Sequence, residues 1–209
     1  MDITYLGHAC FKLTKNNFSM IIDPYTSGSV PGLSPLKEKA NQVIASHKHG
    51  DHFGLNEVKL SMSRADTPFG LDFIESFHDD QEGALRGLNR ISVITVDDMK
   101  IVHMGDIGCM ISDEDMEIIA GADVLMIPVG GFYTIDAEGA YEYVKAIKPS
   151  IVIPMHYRSE SVGYDVIGTV DEFLSKFDAE NVVRPGSSIV LDTKPEGNKV
   201  MVLSPLNAG

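Results

Sequence analysis

Three of the seven histidines in this chain lie within the six-residue run HKHGDH, residues 47–52. In an extended segment the side chains at positions i and i+2 point the same way, so His47 and His49 can bind one metal ion. The glycine that follows permits a sharp turn, after which Asp51 and His52 face a second ion. Imidazoles and carboxylates are usual ligands of zinc, iron and manganese. The alternative is a solvated loop that is merely rich in histidine, and such a loop gains nothing from this order.

The HxHxDH run resembles the signature of the metallo-β-lactamase superfamily, and the resemblance continues along nearly the whole chain. The positions that carry it include Asp23 in IDP, His78 in FHDD, Asp106 in HMGD and His156 in PMHY. Three further segments are similar to the branch that includes ascorbate-6-phosphate lactonase and many predicted hydrolases: Gly7-His8, residues 129–134 and residues 154–157.

This resemblance implies a site for two divalent metal ions, with zinc expected and manganese or iron as alternatives. It assigns one set of ligands to the first ion, a second set to the second ion, and one carboxylate that bridges both. The ligands of the first ion are His47, His49 and His78. Those of the second ion are Asp51, His52 and His156, and Asp106 is the bridge. Asp23 is expected to orient the histidine loop, because ligating histidines usually donate their other N–H to a carboxylate or carbonyl.

The expected chemistry is hydrolysis, with Asp51 and Asp106 as the catalytic carboxylates. Water bound to one zinc ion can have a pKa of about 7, so a hydroxide that bridges two ions is an available nucleophile. The ions also polarise the carbonyl or phosphoryl oxygen of the substrate. A phosphate-binding loop of the GxxxxGK type is absent from the sequence.

Two ligand positions narrow the reaction class that the resemblance implies. The lactam-cleaving branch tends to have a cysteine in place of Asp106, and members that reduce oxygen or nitric oxide tend to have a glutamate in place of His49. We therefore expect a small anionic ester, lactone or phosphodiester as substrate. The alternatives are a phosphodiesterase for a nucleotide-like molecule and a metal-dependent binding or sensing protein without catalysis.

Four residues near the motifs are candidates for substrate binding: His8, Arg86, Tyr157 and Arg158. An arginine can bind a phosphate or carboxylate through two hydrogen bonds, and a tyrosine beside a ligand can donate to an oxyanion. Structural roles are the alternatives, namely a hydrogen bond for His8, pairing with an aspartate for Arg86 and core packing for Tyr157. Tyr133 is a further residue that could line the pocket, and His103 is expected to be buried or behind the ligands.

Composition indicates the class of protein and of partner. The chain of 209 residues has a net charge of −13, which disfavours nucleic acid and anionic membranes as partners and favours a small-molecule substrate. No apolar run approaches the ~20 residues that cross a bilayer. The start of the chain resembles a strand rather than a signal peptide, and the two cysteines, Cys10 and Cys109, suit a reducing compartment. We expect a cytoplasmic protein, and leave open whether it is a homo-oligomer.

Apolar, β-branched segments predict strands, and three segments predict helices. The strands cover residues 3–6, 10–13, 19–22, 43–45, 91–96, 100–103, 124–127, 151–155, 182–184, 189–191 and 200–203. The helices cover residues 113–120 with Ser112 as N-cap, residues 136–147 ended by Pro149, and residues 169–177 with a threonine cap. Hairpin turns are predicted at Asn16-Asn17 and Asp97-Asp98.

The predicted fold is of the α/β class, a four-layer αββα sandwich of two mixed β-sheets flanked by helices, in a single domain of residues 1–209. Only 25 residues, 53–77, separate the HxHxDH run from His78. Relatives commonly have two helices and a strand there, and residues 61–72 show no strong periodicity. We therefore expect this part of the sandwich to be abbreviated or irregular.

Overall fold

Two β-sheets pack face to face in the computed structural model, which describes residues 1–62 and 65–209. The first sheet has five strands in the order β13-β1-β2-β3-β5. They are β1 (Asp2–Gly7), β2 (Cys10–Lys15), β3 (Phe18–Ile22), β5 (Gln42–Ile44) and β13 (Ser188–Val190). Neighbours are antiparallel except β3 and β5, which run parallel. The sheet is therefore mixed, as predicted.

The second sheet has seven strands in the order β12-β14-β11-β10-β9-β8-β7. They are β7 (Gly70–Phe77), β8 (Leu88–Val96), β9 (Met99–His103), β10 (Val124–Pro128), β11 (Ile151–Met155), β12 (Val182–Val183) and β14 (Lys199–Met201). Strands β9, β10, β11, β14 and β12 run parallel, and β7, β8 and β9 are antiparallel. A separate parallel pair consists of β4 (Lys39–Ala40) and β6 (Lys59–Leu60).

The predicted hairpin turns are present. Asn16 and Asn17 have φ angles of 50° and 64°, and they join β2 to β3. Two central residues with positive φ form a turn whose twist matches that of the flanking strands, and asparagine tolerates this conformation well. Asp97 has φ 52° between β8 and β9. Local turn chemistry therefore sets the register of both hairpins.

The main core lies between the two sheets. Its buried side chains alternate along the strands, so that one face of each sheet packs against the other. They include Ile3, Phe11, Leu13, Met20 and Ile22 from the first sheet, and Ile94, Ile101, Val124, Met126 and Ile153 from the second. Burial of this set fixes the faces that the strands present, since a shift of one residue would turn every side chain outward.

Three helices cover the outer face of the second sheet: α1 (Asp113–Ile119), α2 (Ala137–Ile147) and α3 (Asp171–Leu174). Ser112 and Asp136 cap α1 and α2 by accepting from the N–H groups of Asp115 and Gly139. The predicted third helix is too long at both ends. Its threonine cap is also wrong, because Thr169 Oγ1 donates to the side chain of Asp171 instead of accepting from the backbone.

The outer face of the first sheet is covered differently. Tyr25, Val30, Leu33 and Leu36, from the segment after β3, pack there against Leu6 and Ile21. Within the described ranges 1–62 and 65–209 this layer contains no α-helix, and a short 3₁₀ helix, Leu55–Glu57, is its nearest equivalent. The predicted sandwich is thus confirmed, with one helical layer reduced to packed loops. The abbreviated segment 53–77 contains β6 and the whole of β7, and its residues 63 and 64 lie outside the described residues.

No helix in the described part of the chain is long and apolar enough to cross a membrane.

Candidate metal centre

The candidate ligands follow four strands of the two sheets. The HKHGDH run comes after β5 of the first sheet, and the other candidates come directly or shortly after β7, β9 and β11 of the second sheet. These are His78, Asp106 and His156. Because the ends of these strands meet at one edge of the sandwich, residues more than a hundred positions apart, such as His47 and His156, converge there. The site thus lies where both sheets contribute loops.

A first group is formed by His47, His49 and His78, as predicted for the first ion. One ring nitrogen of each lies within 4.8 Å of the others. His47 and His78 are buried, whereas His49 is exposed toward the adjoining pocket. The turn after His49 is closed by a hydrogen bond from the N–H of His52 to the carbonyl of His49, at 3.0 Å. The φ angle of Gly50 is not positive, so this turn does not need glycine.

A second group contains Asp51, His52 and His156, as predicted, and also His8. The side chain of His8 is fully buried, and its Nε2 lies 3.2 Å from Asp51 Oδ2. His8 is therefore not at the pocket rim, where we expected a substrate contact, but beneath the site as a hydrogen-bond partner of Asp51. Burial is the main reason why its pKa falls to about 4, so the ring is neutral near neutral pH.

Asp106 lies between the two groups. Its Oδ2 is 3.2 Å from Nε2 of both His78 and His156, 3.1 Å from that of His52 and 3.9 Å from that of His47. This convergence of four imidazoles on one buried carboxylate is the arrangement expected of a residue that bridges two ions. Burial opposes its ionisation, but the neighbouring His156 and His52 hold the pKa of Asp106 well below its usual range.

The backbone beside Asp106 is held by a buried asparagine. Asn89 Oδ1 accepts from the N–H of Asp106 at 2.9 Å, and its Nδ2 donates to the carbonyl of Met104 at 2.9 Å. Gly105 has φ 57°, and a Cβ atom there would lie 2.3 Å from Asn89 Oδ1. Only glycine allows this close approach, so the short MGD segment positions the aspartate accurately.

Asp23 organises the histidine run, as the resemblance implied. Its Oδ1 accepts from the N–H of Ser46 at 2.6 Å, and its Oδ2 accepts from Ser46 Oγ at 2.7 Å and lies 2.8 Å from His52 Nδ1. Ser46 Oγ in turn lies 2.9 Å from His47 Nδ1. With Nδ1 of both histidines engaged, their Nε2 atoms are directed to the centre. Hydrogen-bond partners at the ring nitrogen that does not bind the metal fix the tautomer of metal-ligating imidazoles.

Buried polar atoms without partners show that these residues fit metal ions. In the described part of the chain, Nε2 of His47, His52 and His156 and Oδ1 of Asp106 are buried without a hydrogen bond of acceptable geometry. A buried polar atom with no partner is costly, and metal coordination would satisfy all four. The chemistry of the set, imidazole and carboxylate, suits zinc, iron and manganese.

The protonation states of the histidines support the same conclusion. Burial lowers the pKa of His47 to about 3 and also lowers that of His49, so both rings are neutral as ligands must be. His52 differs, because burial alone would lower its pKa but the charges of Asp106 and Asp23 raise it well above the usual value. In the absence of a cation, a proton on His52 would balance these carboxylates, and metal binding would displace it.

Several residues at the centre adopt left-handed backbone conformations that are uncommon outside glycine. They are His8, Asp23, Phe132 and His156, with φ angles of 59°, 49°, 59° and 51°. The N–H of His156 donates to the carbonyl of His8 at 2.9 Å, so the two sheets are joined through two such residues. Strain of this kind is found at functional sites, where the surrounding structure maintains it.

His103 does not face the metal centre. Its Nε2 lies 2.9 Å from the carbonyl of Ala9, and its Nδ1 accepts from the N–H of Gly105 at 3.1 Å. Both ring nitrogens are therefore engaged with backbone, and the ring is fully buried. It lies behind the ligands, in the position that we expected.

A pocket of about 260 Å³ opens over the centre. It is lined by His49, Asp51, His78, Arg86, Asp106, Tyr133 and Tyr164. Arg86 does not pair with an aspartate, and instead its Nη2 donates to the carbonyl of Phe132 at 3.0 Å. Tyr164 was not among the residues predicted from the sequence, because it lies in an irregular segment without a motif. Burial and the adjacent charge of Asp51 raise the pKa of its phenol, which donates to the carbonyl of Ser29 at 2.8 Å.

Tyr157 and Arg158 do not line this pocket, contrary to their assignment as substrate-binding residues. Tyr157 Oη points toward the carbonyl of Leu203, at 3.5 Å, and Arg158 Nε donates to that of Ile167 at 3.3 Å. Both line another cavity, of about 470 Å³, that contains none of the candidate ligands. The reason is the left-handed turn at His156, which redirects the chain after β11, so that adjacency in sequence to a ligand does not imply adjacency to the site.

Comparison with known proteins agrees with this geometry. The family model described as "Beta-lactamase superfamily domain" matches residues 2–156. A UPF0173 metal-dependent hydrolase from Archaeoglobus fulgidus is 27% identical over 198 residues, which cover 76% of this chain and 84% of that protein. Another, from Thermoplasma acidophilum, is 31% identical over 193 residues, with coverage of 76% and 84%. A crystal structure of a candidate Zn-dependent hydrolase of the metallo-β-lactamase superfamily from Thermotoga maritima has a TM-score of 0.77, 31% identity and coverage of 97% of each chain.

Proposed function

Since this chain belongs to the metallo-β-lactamase superfamily and is a metal-dependent hydrolase, we propose that it cleaves a small anionic ester, lactone or phosphodiester at a site for two metal ions. The observation that carries the proposal is the convergence of both ligand groups on Asp106, with the buried Nε2 atoms of His47, His52 and His156 left without partners. Zinc is the ion that we propose for both positions, since its preference for imidazole and carboxylate ligands matches the set.

His47, His49 and His78 would hold one ion, and Asp51, His52 and His156 the other, with Asp106 shared between them. When bound, such ions activate water as a nucleophile and polarise the oxygen of the scissile group. The protein's own contribution is to fix the ligands before substrate arrives. Asp23 fixes His52 and Ser46, Ser46 fixes His47, and Asn89 fixes the backbone of Asp106.

Asp51 is the carboxylate that we propose for proton transfer during the reaction. Burial would raise its pKa, but the hydrogen bond with His8 and the charge of His52 outweigh this and lower it. An ionised Asp51 can accept a proton from water and return it to the leaving group. His8 would hold this carboxylate in position through the 3.2 Å contact between Nε2 and Oδ2.

The substrate would enter through the pocket of about 260 Å³ above the centre. Arg86 supplies a positive charge at its wall, which favours an anionic molecule. The volume suits a small molecule rather than a polymer. The free Cys10 and Cys109 support our further proposal that the protein works in the reducing environment of the cytoplasm.

A screen of zinc-reconstituted protein against lactones, phosphodiesters and thioesters tests this function. We expect turnover of at least one class, two ions per chain by metal analysis, and loss of turnover with a chelator. Preference for a nucleotide-like phosphodiester would favour the alternative phosphodiesterase. Tight metal binding without turnover of any class would favour a sensing protein and contradict the hydrolase mechanism proposed above.

A further inference from the structure

A second, larger pocket adjoins the metal centre. Its volume is about 550 Å³, and it shares His49 and Arg86 with the pocket over the ligands. His47, a candidate ligand of the first ion, also lies in its wall. A molecule bound with one end at the metals could therefore extend into this pocket, which we call the basic pocket because of the residues described next.

Three cations line the basic pocket: Lys48, Arg86 and Arg90. None of them lies within 4.0 Å of a carboxylate oxygen in residues 1–62 and 65–209, although Asp and Glu outnumber Lys and Arg by 30 to 17 in the chain. Glu75 is the one acidic residue in the lining, opposite Arg90 in the register of β7 and β8, and it forms no ion pair with that arginine. The pocket therefore carries more positive than negative charge in a strongly acidic protein.

The contacts of the two arginines leave hydrogen-bonding capacity free. Arg90 donates through Nη2 to the carbonyl of Ala45 at 2.8 Å and lies over the ring of Phe73, whereas Arg86 donates through Nη2 to Phe132. A guanidinium has five N–H donors, so each arginine has donors left for a ligand. Lys48 is exposed and makes no hydrogen bond or ion pair to a described residue.

Apolar side chains complete the wall between these charges. Phe53 and Leu88 line the pocket and are 41% and 57% exposed. Exposed apolar groups beside unpaired cations suit a ligand with a short carbon chain that ends in an anionic group. A bare inorganic anion would leave these apolar surfaces uncovered.

We propose that the substrate carries a second anionic group, a carboxylate or a phosphate, that the basic pocket binds through Lys48, Arg86 and Arg90 while the scissile bond lies at the metals. The proposal rests on the function proposed above and specifies its substrate class: a small ester, lactone or phosphodiester with an additional acidic group on a short carbon chain. Coulombic attraction and charge-assisted hydrogen bonds would supply the selectivity.

Calorimetric titration of zinc-reconstituted protein with two non-hydrolysable probes tests the proposal without using activity. Hexanoate and adipate have the same carbon chain, and adipate adds a second carboxylate. We expect adipate to bind about tenfold more tightly, the effect of one charge-assisted hydrogen-bonded contact. A parallel titration with 6-phosphonohexanoate shows which of the two anionic groups the pocket prefers.

Variants assign the effect to the basic pocket. Arg86→Met and, separately, Lys48→Met should reduce the advantage of adipate to about threefold or less. Lys37→Met removes the same charge from an exposed position outside the lining and should leave the advantage intact. Lys48 has no structural contact to lose, so its variant remains informative if Arg86→Met disturbs its loop.

The two proposals fail in different ways. Equal binding of hexanoate, adipate and 6-phosphonohexanoate to the zinc-loaded parent protein, or an advantage that survives both substitutions, would overturn the basic pocket as an anion subsite. Absence of zinc binding, or of hydrolysis with zinc bound, would instead count against the proposed function.

Discussion

Asp106 is the residue on which the electrostatics of the centre depend. It places one negative charge within 3.9 Å of the Nε2 atoms of four histidines. Two divalent ions held by these histidines would repel each other strongly, and the bridging carboxylate reduces that repulsion. In the proposed two-metal site the same residue would set both the charge of the site and the separation of the ions.

Asp106→Asn should retain the fold and lose most of the activity. The amide keeps the shape of the side chain and removes its charge, so we expect affinity for the second ion to fall by at least about tenfold. Metal analysis after dialysis should find closer to one ion than two, and circular dichroism should be unchanged. Hydrolysis at the parent rate with both ions bound would refute the bridging role.

The histidines around the centre should differ in their effect on metal binding. His47→Ala removes a proposed ligand and should lower the metal content. His103→Gln should leave the content near the parent value, because His103 contacts only backbone groups of Ala9 and Gly105 within hydrogen-bonding distance. His8→Ala should reach normal content at saturating zinc but bind the second ion less tightly, since Asp51 loses its partner. Metal loss confined to a folded His103 variant would reverse this order.

Stability of the metal-free protein should fall as the pH falls below 6.5. Burial lowers the pKa of His47 to about 3 and that of His8 to about 4, from 6.5. Between pH 6.5 and the folded pKa of each histidine, the unfolded chain binds a proton that the folded chain does not. Each histidine therefore lowers the free energy of unfolding by up to about 1.4 kcal/mol per pH unit. Urea unfolding in chelator near pH 7 and pH 5 measures the slope. His47→Gln should make this dependence of stability on pH shallower. An unchanged slope would contradict the lowered pKa of His47 as its cause.

At the level of elements, a loop between β7 and β8 carries Arg86 to the pocket, and one buried side chain organises it. Asp79 accepts hydrogen bonds from the N–H groups of Gln81, Gly83, Leu85 and Arg86 at 2.7–3.0 Å. Burial opposes ionisation of Asp79, but these four donors together lower its pKa. The Asp79 carboxylate thus accepts the backbone N–H groups that a helix or strand would pair with carbonyl oxygens.

Asp79→Ala should loosen this loop without unfolding the sheets. Amide hydrogen exchange at residues 81–86 should become at least about tenfold faster, because the N–H groups lose their acceptor. Asp80→Ala is the matched control, since Asp80 is the exposed neighbour and accepts none of these hydrogen bonds. Equal protection of the loop in both variants would show that other contacts hold it.

The sequence predicted the elements whose signals are local. Strand pairs joined by Asn16-Asn17 and Asp97-Asp98, and the cap Ser112, follow from short-range chemistry. The second helix was also predicted, except that Asp136 caps it instead of forming its first residue. The sequence missed β7, because this edge strand has four exposed residues among eight and so lacks a clear apolar alternation. It also overextended α3, since apolar residues around Phe173 pack on the core without a regular helix on either side.

The candidate ligands were predictable because each lies in a short sequence motif. The residues that line the pockets were less predictable, because they come together through contacts between distant loops. The grouping of His47, His49 and His78 agrees with the prediction, as does that of Asp51, His52 and His156. Tyr164 and the basic pocket depend on how loops fold over the sheet edge, which no spacing in the sequence indicates. Tyr157 and Arg158 were assigned by proximity in sequence to His156, and its left-handed backbone makes that proximity misleading.

At the level of the whole molecule, the metal centre lies across the junction of the two sheets. Asp51 and His52 follow β5 of the first sheet, whereas Asp106 and His156 follow strands of the second. Ions bound to all of them would link loops of both sheets. Any ligand that binds only the folded state adds to stability according to its concentration relative to its dissociation constant.

Removal of metal should therefore lower the melting temperature. At a free zinc concentration one hundred times the dissociation constant, binding adds about 2.7 kcal/mol. For a chain of this size that corresponds to roughly 5–10 °C. Calorimetric scans with zinc and with chelator measure the difference, and His47→Ala should reduce it. An identical melting temperature in both conditions would show that the ions do not link the sheets.

The strand order of the first sheet also has a consequence for the path of folding. β1 pairs on one side with β2 through a short turn, and on the other with β13, where Asp2 faces Val190. The hairpin of β1 and β2 can form early, but the free edge of β1 stays unpaired until β13 is in place. β13 lies almost the whole length of the chain away from β1. Closure of so long a loop carries a large entropic cost and slows folding. During synthesis that edge would remain available to other extended chains, which makes this strand the place where premature association would begin.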